Sequence, residues 1–235
     1  MKIKGSGIYT DTHGKSHNVL GFGEVEDSEN FRKIEVSGSL SFEKISCEKV
    51  SVSGKCEGNS ITAKSLEVSG EMSIKNIFGK EVEISGRCKG DSINAKNFST
   101  SGKIEYNSLT IEQTLRISGK PQINFVTADE ILIATSNVFL GEVKCRKIRI
   151  FDDLERFAEE FFGKIFIEDF SFNKSHSRVQ IKNIRAESVD LENCEVDVIR
   201  CKDALIGSNC MIEKLFVTGK CEIAADSKVT EIIRT

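Results

Sequence analysis

Tryptophan is absent from these 235 residues, proline occurs once, at Pro121, and tyrosine only twice. So little proline suits a chain in which almost every backbone N–H joins a ladder, because proline cannot donate. No stretch approaches the roughly 18 consecutive apolar residues of a membrane-spanning helix. The opening Met1-Lys2-Ile3-Lys4-Gly5 lacks the apolar run of a signal peptide, so the expected compartment is the cytoplasm. A basic surplus is missing too: 33 Lys and Arg stand against 36 Asp and Glu, a net charge of -3. Nucleic acid is therefore not an expected partner. Of the 3 histidines, His13, His17 and His176, none adjoins a recognisable nucleophile motif, and Ser175-His176-Ser177 reads as a polar loop. His13 and His17 are spaced for a metal but bring no third ligand, so no metal or cofactor is expected.

The 8 cysteines, Cys47, Cys56, Cys88, Cys145, Cys194, Cys201, Cys210 and Cys221, contain no CxxC pair. In a chain expected in the cytoplasm, neither a disulfide framework nor metal spacing is indicated, and they read as small core residues. Hydrophobic residues at 39% and charged residues at 29% fit a folded soluble body.

What is present is a beat. Ser37-Gly38, Ser53-Gly54, Ser69-Gly70, Ser85-Gly86 and Ser101-Gly102 recur every sixteen residues, and Ser118-Gly119 arrives one residue late. A fixed period of this size marks a stacked repeat, each copy burying its apolar residues against the next. Counted from the glycine, apolar residues fall at offsets two and four, seven and nine, twelve and fourteen. After Gly38 they are Leu40/Phe42, Ile45/Cys47 and Val50/Val52. One residue separates the members of each pair, the signature of a strand with one buried face. Three short strands per coil, each pairing in parallel with its copy in the next coil, satisfy the pattern: a single-stranded parallel β-helix. The glycines mark corners where positive φ is cheap.

Outward offsets test this. Lys55, Glu71 and Arg87 share one column, placing opposite charges on neighbouring rungs. The period continues to Leu215/Val217, for about thirty-three pairs and eleven coils, a rod roughly 50 Å long at one strand spacing per coil. Four stretches follow: residues 1–30 as an irregular N-terminal coil or cap, 31–150 as the first part of the β-helix, 151–164 as an inserted helix, and 165–235 as the second part. The helix expectation rests on Leu154, Phe157, Phe161 and Phe162 sharing one face before Gly163.

The coil Lys55-Cys56-Glu57-Gly58-Asn59-Ser60-Ile61-Thr62-Ala63, and its counterpart Arg87-Cys88-Lys89-Gly90-Asp91-Ser92-Ile93-Asn94-Ala95, resemble the repeat of bactofilins, the polymer-forming bacterial cytoskeletal family, in its longer Gram-positive type. Strong matches cover Ile34 to Gly102. The resemblance implies a right-handed β-helix that assembles end to end, without nucleotide, into filaments or sheets. It also implies scaffolding of cell shape, envelope or motility machinery, with association to the membrane through partners. The chain departs from the family in having no long proline-rich tail and in carrying the 151–163 insertion.

A β-helix ends in an unpaired rung over an apolar cross-section, and such an edge invites pairing. The C-terminal residues Ile232 and Ile233, with Leu215, Phe216 and Val217 one coil earlier, are the expected assembly interface, Phe216 pointing outward. The expected function is a non-enzymatic scaffold whose partner is itself, through the terminal coils. A non-polymerising adaptor that presents its faces or the inserted helix is the alternative. A carbohydrate-active β-helix enzyme is the second alternative; Glu67 and Glu83, stacked at offset thirteen, are its nearest approach to a carboxylate cluster.

Overall fold

The structure, a computed structural model, describes residues 3–10, 16–25, 28–134, 137–151 and 178–234. These form an all-β solenoid of about 11 turns with roughly 16 residues per turn. The strands are β1 (Ile3–Thr10), β2 (Ser16–Val25), β3 (Ser28–Val36), β4 (Ser39–Val52), β5 (Lys55–Val68), β6 (Glu71–Ile84), β7 (Arg87–Thr100), β8 (Lys103–Ile117) and β9 (Lys120–Ile133). They continue as β10 (Phe139–Ile150), β11 (Val179–Arg185), β12 (Ser188–Leu191), β13 (Cys194–Cys201), β14 (Asp203–Ile206), β15 (Met211–Val217), β16 (Cys221–Ile223) and β17 (Lys228–Arg234). From β4 to β9 a whole coil is one bent strand paired in parallel with the next. The expected insertion, apart from Phe151, lies outside the described residues, as do His13 and His176.

Every inward pair stacks on its copy. Leu40, Cys56, Met72, Cys88 and Ile104 form one column, and Ile45, Ile61, Ile77, Ile93 and Leu109 another. All ten are at most 2% exposed, so the core is a continuous dry rod. Outward charges pair along and across rungs: Lys64 with Glu48 at 2.7 Å, Lys49 with Glu67 at 2.6 Å and Arg87 with Glu71 at 2.6 Å. Lys55 departs from the expected column by joining Glu57 in its own coil, at 2.8 Å.

The serine-glycine beat has a cause that differs from the expected one. No corner glycine of the series adopts positive φ; instead, each coil sits too close to its neighbour for a side chain. A Cβ on Gly54 would lie 2.1 Å from the Gly38 carbonyl oxygen, and one on Gly70 2.1 Å from that of Gly54. The closeness is made by shared hydrogen bonds. Ser53 and Gly54 both donate their amides to the Val36 carbonyl, at 2.8 and 3.0 Å, and the Ser53 hydroxyl reaches the same oxygen at 3.3 Å. The pattern repeats sixteen residues on, where Ser69 and Gly70 donate to Val52 at 2.8 and 3.1 Å.

A second set of glycines has another purpose. The column Phe42, Gly58, Ile74 ends one coil before Gly90, which in turn pairs with Tyr106. A Cβ on Gly58 would meet the Phe42 ring at 2.5 Å; one on Gly90 would meet the Ile74 carbonyl oxygen at 1.8 Å and then the Tyr106 ring at 2.6 Å, so Gly90 serves both a close backbone approach and a ring. Each aromatic ring lies in the space its neighbour leaves. Tyr106 reaches across Gly90 to donate to the Ile74 carbonyl at 3.1 Å, and its oxygen contacts Cys88 Sγ at 3.1 Å.

The late arrival of Ser118-Gly119 is also explained. Between Ala95 and Phe98 of β7 the partner strand runs from Ile111 to Leu115, and against β9 the shift falls between Ile111 and Thr114, so one extra residue is absorbed near Glu112. Six cysteines are buried, Cys145 and Cys221 being half-buried. Burial pushes the Cys56 and Cys88 thiols up to about 12, so they are protonated and inert at neutral pH.

Candidate functional site at the C-terminal edge

The two ends of the rod are built differently. At the N-terminal end β2 lies on the next coils through Ser16–Val19 against Lys33–Val36 and Phe22–Val25 against Ser39–Phe42. Its other edge is covered by β1, which runs antiparallel from Ile3 opposite Val25 to Thr10 opposite His17. The parallel ladder is thus closed off by a strand of opposite direction.

At the C-terminal end the described residues place no such strand. β17 pairs with β15, Met211 opposite Lys228 through Val217 opposite Arg234, and β16 pairs with β14. Among the described residues no strand pairs with the outer edge of either. A parallel strand directs alternate backbone amides and carbonyls to each side, so the seven residues of β17 present a row of unpaired donors and acceptors.

The core reaches the surface here. Ile212 and Leu215, 2% and 0% exposed, are covered by Val229 and Ile232 of the last coil. Ile232 is itself 45% exposed, and Val229, Ile223 and Cys221 are half-buried. Apolar columns that elsewhere find a neighbour every rung have, among the described residues, none beyond this last coil. Exposed Lys228 and Arg234 flank this edge.

The five residues expected at the interface fall into three places. Leu215 and Val217 lie in the core, one rung inside the edge. Phe216 points outward, half-buried, with the Arg200 guanidinium 4.6 Å above its ring. Ile232 and Ile233 stand on the edge strand, Ile232 continuing the Leu215 column and Ile233 the Phe216 column. Ile223 and Val229 belong to the same short apolar C-terminus in the sequence but are not among the five residues expected at the interface. Their signal was available: each continues an inward column.

Glu67 and Glu83 do stack one rung apart. They line a shallow open groove of about 430 Å³ with Glu35 and the serines of the corner ladder. Glu67 is bound by Lys49 at 2.6 Å and accepts the Ser51 hydroxyl at 3.5 Å. Among the described residues no group of three or more His, Cys, Asp or Glu is placed to hold a metal ion, and no helix is long and apolar enough to cross a membrane. No family model, curated protein or solved structure matches this chain.

Proposed function

We propose that this protein is a non-enzymatic, cytoplasmic scaffold that self-associates end to end, with β17 and the apolar rung beneath it as the adhesive edge. The observation that carries the reading is the exposure of Ile232, directly over the Leu215 column, on a parallel strand whose outer edge has no partner among the described residues. A second chain set against this edge would extend the ladder and cover the apolar end, a common mode of strand addition. The likeness of the repeat to bactofilins supports nucleotide-independent filaments or sheets of right-handed rods, and with them roles in cell shape, envelope or motility machinery. Because β1 covers the opposite edge, the reading makes β17 a participant in every junction.

Sedimentation velocity with negative-stain microscopy at tens of micromolar tests it. The wild type is expected to form elongated multimers, and Ile232→Arg to sediment as a monomer with an unchanged circular dichroism spectrum. A wild type that stays strictly monomeric sinks the proposal. Phe216→Arg, placed beside Arg200, is expected to weaken association less than Ile232→Arg.

One observation favours an adaptor as a second reading. On one face the outward residues of five consecutive coils, Ser60, Thr62, Asn76, Phe78, Ser92, Asn94, Ser108, Thr110, Phe125 and Thr127, carry no charge. Phe78 is 43% and Phe125 53% exposed on it. An uncharged flat face with exposed rings costs little to desolvate against a protein partner. Replacing both rings by aspartate then abolishes partner binding while leaving end-to-end association intact.

A further inference from the structure

Two thiols meet one coil inside the open edge. Asn193 and Asn209 both take left-handed backbone, φ 47° and 57°, and each is followed by an inward cysteine. The corners stack: the Asn209 side-chain amide donates to the Asn193 side chain at 2.7 Å, and the Asn193 amide to the Ser208 carbonyl at 2.9 Å. Cys194 and Cys210 are therefore held one rung apart, with sulfurs 3.5 Å from each other. One rung is about 4.8 Å, inside the roughly 4.4–6.8 Å between Cα atoms that a disulfide bridges. Closing the sulfurs to bonding distance needs side-chain rotation and small corner shifts rather than a new backbone path.

We propose that Cys194 and Cys210 form a reversible disulfide between coils when the chain meets a peroxide oxidant. The pair is asymmetric in the way this chemistry uses. Cys194 donates its S–H to Cys210, which holds the Cys210 thiol below its usual range, while the same bond and burial raise that of Cys194. The Cys210 S–H is itself aimed at the Leu191 carbonyl at 3.3 Å, and Cys210, covered directly by the last coil, is the thiol an oxidant entering from the edge meets first. The Cys210 thiol gives up its proton, its sulfur attacks one peroxide oxygen, the O–O bond breaks, and the leaving hydroxide takes up that proton as water, giving the sulfenic acid. Cys194 sulfur then attacks Cys210 sulfur, the S–O bond breaks, and water leaves with the Cys194 proton. Two thiols and one hydrogen peroxide become one disulfide and two waters.

Access comes from the edge. Cys210 is 1% exposed, and its cover is the last coil: its amide donates to Ser227 Oγ at 2.8 Å and its carbonyl accepts from the Lys228 amide at 2.9 Å. A terminal strand with a free outer edge opens locally more readily than interior rungs. Cys56 and Cys88, several coils in, have no such route.

The test is peroxide treatment of the full chain carrying Cys221→Ser, which removes the half-buried end thiol, followed by intact mass and peptide mapping. Expected is a product two hydrogens lighter, a cross-link joining residues 194 and 210, recovery on adding dithiothreitol, and no cross-link after Cys194→Ser. Mapping on the chain with both thiols present needs no further variant to fold. A cross-link elsewhere, oxygen addition at Cys210 without loss of two hydrogens, or retention of both thiols while other cysteines react would each overturn it. The readout is intramolecular, so it stands or falls separately from self-association.

Discussion

Replacing Gly58 with alanine would test whether the core is packed by rings that occupy glycine space. The added methyl would sit 2.5–2.7 Å from three atoms of the Phe42 ring. The three nearest atoms all belong to that ring, so the ring must yield first. Displacing a well-packed side chain costs about 1–3 kcal/mol. Phe42→Ala alone removes a ring only 7% exposed and costs about 3–5 kcal/mol. In the double variant the clash is gone and the alanine methyl recovers about 0.8 kcal/mol of buried surface in the vacated space. The double variant should therefore be slightly more stable than Phe42→Ala, with a coupling of about 2–4 kcal/mol between the two sites. Urea unfolding followed by circular dichroism at a concentration below association reads all four chains. Effects that add to within about 0.5 kcal/mol would refute the ring-over-glycine reasoning.

Gly70→Ala should be worse than Gly58→Ala, because its methyl meets the Gly54 carbonyl oxygen at 2.1 Å and no side chain can move aside; separating the coils also strains the two bonds to Val52, for a loss above about 3 kcal/mol in the same unfolding assay. Thr100→Val should stabilise the rod by about 1 kcal/mol, since the Thr100 hydroxyl is buried without a partner between Ile84 and Ile117; a lower urea midpoint would contradict this. Hydrogen bonds from Lys55, Lys103 and Arg146 hold the carboxyls of Glu57, Glu105 and Asp129 below their usual range. Their contribution is present above the unfolded carboxylate pKa and lost as pH falls through the folded values, so the melting temperature should drop modestly on acidification below about pH 4. Asp129→Asn should flatten that slope, and high salt should mute it.

The coil and its inside-outside alternation were legible because a period of two inside a period of sixteen leaves one consistent set of inward residues. Cys56 and Cys88 could be placed in the core from offset alone, and both are there. The purpose of the corner glycines was not legible. Positive φ and close backbone approach select the same residue, and only the distance from Gly54 to the Gly38 oxygen separates them. The choice of Lys55 between Glu57 and Glu71 was similarly open, since both carboxylates lie within reach of one flexible chain. The reversal of β1 left no periodic trace: its pairing is antiparallel to β2 and has no copy among the described residues. Of the edge, the apolar residues were visible as a cluster, but which of them face solvent depends on where the ladder stops.

The extra residue near Glu112 has a consequence for how such a chain can change. One coil runs a residue longer, the extra residue is taken up after Ile111, and by Leu115 the inward side chains are back beside their counterparts, Phe98 on one side and Ile131 on the other. The corner behaves as an expansion joint: it accepts length without passing an error to the next coil. Coils can therefore drift in size while the stack keeps its reading frame, and Glu112-Gln113 is a natural seam at which a foreign peptide could be grafted without rewriting the rod.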